Sequence, residues 1–449
     1  MKKKRATLGG KLSAVLVAAG SAVGLGNIWR FPYIAGENGG GIFLLMYIGC
    51  ILLLGLPILL AEFSVGRHTR KNSVGAFRAL SRRWSFIGYI CVLSPFLVLG
   101  FYFVVAGWTL EYLVASLSGG ISQYASSNVN AQLFDSFTLD PVKPIVYTLL
   151  FILATHIVIV KGVQKGIERS SKLLMPMLFI VLIILALRSV TMEGGIKGLE
   201  FFFTPDFSSI TASTLLNAMG QAFFSLSIAL GCMITYASYF KPDTNLQTTA
   251  LNVIVLDTVV AVLASIVIFP AVFSVGIEPT SGPSLVFITL PAIFNTMSLS
   301  TLWSSAFFLL LAVAALTSTI SLHEVLTAYI HEEWNISRKN AARLTTLGVA
   351  LLSCAASLSI GAWREYTICG MTLFDSLDFL TANILLPLGG LFISIFAGWV
   401  MGRSMLHDEI TNGGSLRIPL FKTIVVLLKY VCPILLLLIF LYNLGIFTL

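Results

Sequence analysis

Residues 20–32 read Gly-Ser-Ala-Val-Gly-Leu-Gly-Asn-Ile-Trp-Arg-Phe-Pro, which sets Gly24 and Gly26 beside Asn27 and Arg30 inside an otherwise apolar run. Glycine costs about 1 kcal/mol in a helix interior, and unsatisfied backbone in hydrocarbon costs more still, so unwinding is tolerated there only around a wet or ligand-filled cavity. Opened backbone offers N–H groups to an anion at one half-helix end and carbonyls to an ammonium or a hard metal ion at the other. The break therefore predicts a binding site. A second run is interrupted in the same way by Gln221, Ser225, Ser227, Ala229 and Gly231. Asp257 lies well inside another apolar run, and an acid there is costly enough to demand a function. Taken alone, Tyr102 reads as a packing residue, and Thr317-Ser318 as hydroxyls bonded back to the preceding turn.

The elements that position these residues are membrane helices. The 449 residues are 57% hydrophobic and 11% charged, with a mean hydropathy of +0.92, which excludes a soluble fold. Eleven spans are predicted, near 11–35, 41–66, 86–117, 144–161, 168–189, 213–240, 246–274, 301–332, 341–360, 371–402 and 420–446. Lys2, Lys3, Lys4, Arg5 and Lys11 precede the first span, and Arg67, Arg70, Lys71, Arg78, Arg82 and Arg83 follow the second. Later basic residues continue the alternation, so the N-terminus is predicted to be cytoplasmic and the C-terminus extracytoplasmic. The net charge of +8 is thus a topology signal and a contact with anionic lipid, and nucleic acid is excluded as a partner. The basic start mimics a signal peptide, but its apolar run is too long and carries the Asn27–Arg30 break. Six cysteines fall in or beside apolar runs without C-x-x-C spacing, which argues against disulfides and structural zinc.

Five spans separate the two breaks. An odd number of spans per repeat inverts the second copy, and paired interrupted helices point to a site at the repeat interface. The chain is accordingly read as one transmembrane domain, with one repeat over about 11–189, an inverted copy over about 213–402 and a peripheral helix over about 420–446. Residues 278–299 could form a short re-entrant hairpin over the cavity or a plain loop; residues 117–141 say little.

The stretch 20–41, with its Gly-Leu-Gly-Asn-Ile-Trp-Arg-Phe-Pro-Tyr core, closely resembles the neurotransmitter:sodium symporter family. So do Ile234-Thr235-Tyr236-Ala237-Ser238-Tyr239, residues 287–294 and Leu316-Thr317-Ser318-Thr319-Ile320, and the resemblance runs from residue 1 to about 404. It implies a bacterial amino-acid transporter of the leucine-transporter fold, with helices 1 and 6 unwound at mid-membrane. Two sodium sites and no organic cofactor follow. The first cage would comprise the Ala22 carbonyl, Asn27, Ser225, Asn252 and the substrate carboxylate, which couples ion to solute. The second would comprise carbonyls of Gly20, Val23 and Ala314 with the hydroxyls of Thr317 and Ser318. Neither Lys nor Arg stands at that second cage, which favours sodium over proton drive.

By the same pattern Tyr102 donates to the substrate carboxylate, beside the N–H groups that follow Gly26. The side-chain pocket comprises Val98, Tyr102, Phe224, Ser227, Leu230, Ser318 and Leu322, with Ser21 and Leu25 nearby. It holds no fixed charge, so a neutral hydrophobic substrate is implied. Leu230, where some members carry an aromatic residue, leaves room for an aromatic side chain; Ala229, where glycine is frequent, argues against full unwinding and the bulkiest substrates. Asp257 resembles the fixed acid that replaces chloride in many bacterial members, near Tyr47, Gln221, Ser225 and Asn252. The position anticipated for it holds Leu256, and a one-residue shift turns a side chain by about 100°. Arg30 and Asp378 form the outer gate, with Phe224 as a lid; Arg5 pairs with Glu332, or else Glu333, at the inner one, where Leu8 replaces the family's usual Trp.

His323-Glu324 begins like a zinc-protease motif, but Thr327 replaces the second His, and no Gly-x-Ser-x-Gly elbow occurs. An enzyme is therefore rejected. A channel or a transport-inactive sensor reuses the same cavity, and only uptake against a gradient separates them from a symporter.

Overall fold

The computed structural model describes residues 6–119, 127–275 and 285–446. Nine helices among them are long and apolar enough to cross a membrane: Gly41–Thr69, Arg82–Leu117, Lys143–Val160, Val163–Val190, Leu246–Ser274, Ser300–Glu333, Arg338–Ile360, Leu373–Val400 and Phe421–Asn443. Two broken spans complete the chain order. Lys11–Ala22 and Gly26–Glu37 meet at a bend of 55° and form the first. The sixth is Ala212–Ser225 and Cys232–Ala237, two pieces each too short to cross alone.

Local chemistry sets the ends of these helices. Asn72, Thr211, Asn245, Ser337 and Thr372 each cap a helix by accepting a backbone N–H with the side chain. Pro144 falls in the first turn of its span, where a missing N–H costs nothing, whereas Pro32, Pro57 and Pro387 each follow a π turn within a span.

The third span, Arg82–Leu117, and the eighth, Ser300–Glu333, share the most extensive helix–helix interface. Their most apolar stretches are each 72% buried inside the protein, so these two form the centre of the bundle. Phe421–Asn443 is only 28% buried and leans on the tenth span, Leu373–Val400, which makes it peripheral. Lys11–Ala22 is enclosed by the fifth, seventh and eighth spans.

Two connecting segments are structured, one of them the segment for which a short hairpin or a plain loop was expected. Ser127–Leu139 is helical, and residues 285–296 form a π turn followed by the helix Leu290–Thr296. The two meet through Phe134 and Phe287, stacked at 5.7 Å. Of the predicted hairpin, residues 278–284 lie outside the described residues. All six cysteines are free thiols.

Candidate functional site

The first span breaks at Val23, which is extended (φ −72°, ψ 110°), and helix resumes through the π turn Gly26–Arg30. The Gly24 N–H turns back to Asn27 Oδ1 (3.1 Å), and the Leu25 N–H donates to the Tyr102 hydroxyl (3.1 Å). A Cβ on Gly24 would stand 2.3 Å from Ser318 Oγ and 3.0 Å from the Tyr102 oxygen, so only glycine lets the third and eighth spans close on the break. The sixth span is open over residues 226–231, where Ser227 (φ 53°), Ala229 (φ 64°) and Gly231 (φ 68°) are left-handed. The expectation that Ala229 would restrain unwinding is corrected: its backbone is unwound, and its N–H donates to Glu62 Oε1 at 2.8 Å. That bond helps to offset the strain of a Cβ in the left-handed region.

Asp257 is fully buried and faces both breaks. Asn27 Nδ2 donates to its Oδ1 (2.7 Å), while Tyr47 (2.9 Å) and Ser225 (2.6 Å) donate to its Oδ2. Asn27 Nδ2 also reaches Ser225 Oγ at 2.9 Å. The placement of Asn252 in this cluster is overturned, for Asn252 is exposed. Five residues along a helix rotate a side chain by about 140°, so Asn252 and Asp257 cannot both point inward, and the acid holds the inward position. Gln221 is not a partner of Asp257 either: its Nε2 donates to the Gly26 carbonyl at 3.0 Å.

A second polar knot lies across the break. Thr317 Oγ1 donates to the carbonyls of Ala314 (2.9 Å) and Val23 (3.3 Å), and Ser318 Oγ reaches the Val23 carbonyl at 3.4 Å. The bond to Ala314 is the local back-bond that hydroxyls in membrane helices usually make; those to Val23 are not local. Gly20 is buried one turn earlier in Lys11–Ala22. The second cluster consists of oxygen atoms and the first of oxygen atoms joined by the Asn27 amide nitrogen, and among the described residues no group of three His, Cys, Asp or Glu side chains comes together. Oxygen-rich sets of this kind suit a hard cation such as sodium.

Between the clusters is a small cavity lined by Ser21, Ala22, Gly24, Gly26, Val98, Tyr102, Phe224, Ser225, Ser227, Leu230, Ser318 and Leu322. Leu25 lies instead in a larger vestibule, with Trp29, Arg30, Trp108, Phe134, Phe287 and Asp378. Phe224, Tyr102 and Gly26 border both spaces, and the Phe224 ring is half-buried there. Arg30 stands over that ring, 4.6 Å from its centroid. Arg30 and Asp378 share the vestibule without forming an ion pair.

At the opposite face, Arg5 lies outside the described residues. Glu332 accepts the Asn72 N–H (2.8 Å), and Glu333 pairs with Arg78 (2.7 Å), so both acids reach the segment after the second span. Leu8 is buried, with its N–H on the Tyr239 carbonyl (2.9 Å). Glu168 holds the same segment through the Gly9 N–H (3.0 Å) and Ser13 Oγ (2.7 Å), so a carboxylate anchors it where the family usually has a Trp. His323 is committed to Thr327 (3.0 Å) and Thr346 (2.9 Å), and Glu324 to Arg338 (2.5 Å), which accounts for both without a metal. Glu62 and Glu168 are the residues that sequence reasoning missed. The rule that singled out Asp257, an acid within an apolar run, also finds Glu62.

The sequence profile of the sodium:neurotransmitter symporter family matches residues 5–134 and 138–448. An uncharacterized sodium-dependent transporter of Bacillus subtilis, YhdH, is 38% identical over 440 residues, covering 98% of this chain and 97% of its own. A second, from Haemophilus influenzae, is 37% identical over 454 residues, covering 98% and 99%. Human sodium- and chloride-dependent GABA transporter 2 is 26% identical, over 90% of this chain and 74% of its own. Among solved structures, MhsT in complex with L-phenylalanine superposes with a TM-score of 0.90 at 43% identity, covering 98% of this chain and 100% of that one.

Proposed function

Since the chain belongs to the sodium:neurotransmitter symporter family, and is thus a sodium-dependent multi-pass membrane transporter and not an enzyme, we propose that its cargo is a neutral hydrophobic or aromatic L-amino acid. It would be carried into the cell with sodium by alternating access. The observation that supports this best is the apolar cavity between two broken helices, with the Tyr102 hydroxyl seated on the Leu25 N–H at its border. A substrate carboxylate placed there meets a phenol donor and the positive end of the restarted half-helix. Its ammonium faces the carbonyls that end the other half-helices, at Ala22 and Phe224. Val98, Leu230 and Leu322 surround the side chain, and nothing in the cavity lining pairs a charged one. That MhsT was solved with L-phenylalanine lends weight to an aromatic cargo.

Two sodium ions are proposed as co-substrates. The first takes the Ala22 carbonyl, Asn27, Ser225 and the substrate carboxylate, with Asp257 supplying the side-chain oxygen that Asn252 does not. The second takes Gly20, Val23, Ala314, Thr317 and Ser318. With Asp257 as a fixed negative charge beside the first ion, chloride is not needed, and proton exchange at this acid is a corollary.

We read residues of about 11–189 and 213–402 as inverted repeats, the basic loops as cytoplasmic and the vestibule as facing outward. Arg30–Asp378 then closes the outer side, and Arg5–Glu332 the inner. Competition binding with the twenty amino acids, with and without sodium, tests the reading, followed by uptake into sealed vesicles. Sodium-driven accumulation is expected; binding without accumulation would point to a sensor, and equilibration without concentration to a channel.

A further inference from the structure

The tenth span carries two adjacent glycines, Gly389 and Gly390, inside the helix Leu386–Ile395. Each faces one side of the break in the sixth span. A Cβ on Gly389 would stand 2.7 Å from the Ala229 methyl, and one on Gly390 would stand 2.3 Å from the Phe223 ring. Real Cβ atoms do not approach that closely, so the tenth helix admits Phe223 and Ala229 only because both positions lack side chains. Each contacted residue is followed in the chain by a cavity-lining one, Phe224 after Phe223 and Leu230 after Ala229.

The geometry points to the Gly389-Gly390 step as a seat that sets how far the open segment of the sixth span stands back from the cavity, and hence the size of the substrate side chain admitted. This rests on the amino-acid reading above and adds the residues that determine size. The opened segment lies between the tenth span, which touches Ala229, and the cavity, which Ser227 and Leu230 line. A methyl at position 389 displaces Ala229 toward the cavity and carries Leu230 with it. The Ala229 N–H is bonded to Glu62 on the second span, so a displacement of Ala229 also stretches that bond. Gly389 is therefore a positioning residue, acting through Ala229.

The geometry also identifies the compensating change. With the Ala229 methyl removed, the nearest atoms to a Cβ on residue 389 are Ile90 Cγ2 at 3.3 Å and the Ala229 carbonyl oxygen at 3.7 Å, so the contact relaxes to one flexible side chain.

The test uses the purified full chain in sodium buffer, with L-valine, L-leucine, L-phenylalanine and L-tryptophan as competing ligands. Gly389→Ala is expected to weaken the two aromatic ligands by about tenfold or more while changing valine by less than about threefold, as a one-methyl overlap in a packed interior would. Gly389→Ala combined with Ala229→Gly should restore the original order. If Gly389→Ala does not yield folded protein, recovery of a monodisperse, sodium-stabilised protein in the double variant supports the seat, and failure to recover overturns it. Equal weakening of all four ligands, or a double variant no better than Gly389→Ala, overturns it as well. Absence of amino-acid binding by the unmodified chain would instead refute the functional reading, so the two failures are distinguishable.

Discussion

Asn27 Nδ2 lies 2.7 Å from Asp257 Oδ1, which ties the restarted half of the first span to the middle of the seventh. Through Ser225 the same carboxylate also holds the last turn before the break in the sixth span, so one acid joins both broken helices. Replacing it with a neutral isostere keeps the shape and removes the charge. Asp257→Asn is expected to lower sodium affinity by about tenfold or more, since bonds to a charged group are worth about 1.5–3 kcal/mol. Asp257→Ser should make uptake respond to added chloride. Sodium titration of substrate binding, and uptake with chloride exchanged for gluconate, measure the two effects; unchanged sodium dependence in Asp257→Asn would end the argument.

The hydroxyl of Thr317 bridges the carbonyls of Ala314 and Val23. Thr317→Ala removes one of the proposed cation ligands at a structural cost of about 1 kcal/mol, so the protein is expected to fold and yet lose sodium-dependent binding. Asn27→Ala should do the same at the other cluster. Near-normal affinity in either variant, read by radioligand saturation at several sodium concentrations, contradicts the assignment.

Tyr102 places one phenol oxygen on the Leu25 N–H. Tyr102→Phe keeps the ring and deletes the donor, so substrate affinity is expected to fall about 10–100-fold, while thermal stabilisation by sodium alone persists. Loss of both together would mean that the hydroxyl supports the fold and not the ligand.

Glu62 accepts the Ala229 N–H with one oxygen. Glu62→Gln retains an acceptor and is expected to leave melting temperature close to that of the unmodified chain. Glu62→Ala orphans a buried donor and should destabilise by about 1–3 kcal/mol. Equal melting temperatures for Gln and Ala would show that the bond does not brace the open segment.

Glu168 gathers the Gly9 N–H, Ser13 and Lys172 at the face opposite the vestibule. Glu168→Ala is expected to release the start of the first span, read as faster amide exchange at residues 7–13 with exchange in the third span unchanged. Unaltered exchange at residues 7–13 would remove Glu168 from the anchor.

The breaks were legible because glycine, Asn and Arg within an apolar run leave no other physical reading, and Val23–Gly24 falls inside the stretch that the composition marked. Much of the cavity lining, such as Val98, Tyr102 and Leu322, was named through the resemblance to the family and not from the residues alone, since Tyr102 by itself reads as packing. Pairings between distant spans were legible only where the family pattern supplied them, as for Asp257 with Tyr47 and Ser225. Asn252 and Asp257 are equally polar in the chain, and only the rotation of the seventh helix against Asn27 and Tyr47 decides which faces inward. Glu62 finds its partner 167 residues away, on backbone that becomes a donor only once Ala229 is unwound. Phe134 and Phe287 belong to connecting segments whose contribution to the vestibule depends on tertiary contact.

Of the three residues that border both vestibule and cavity, Phe224 contributes a half-buried aromatic ring on which Arg30 rests. Side-chain torsions of that kind relax within picoseconds to nanoseconds, whereas shifts of whole helices take microseconds to milliseconds. Rotation of the Phe224 ring is therefore a faster event than any rearrangement that must dismantle the bonded network around Leu8, Glu168 and Tyr239 on the far side.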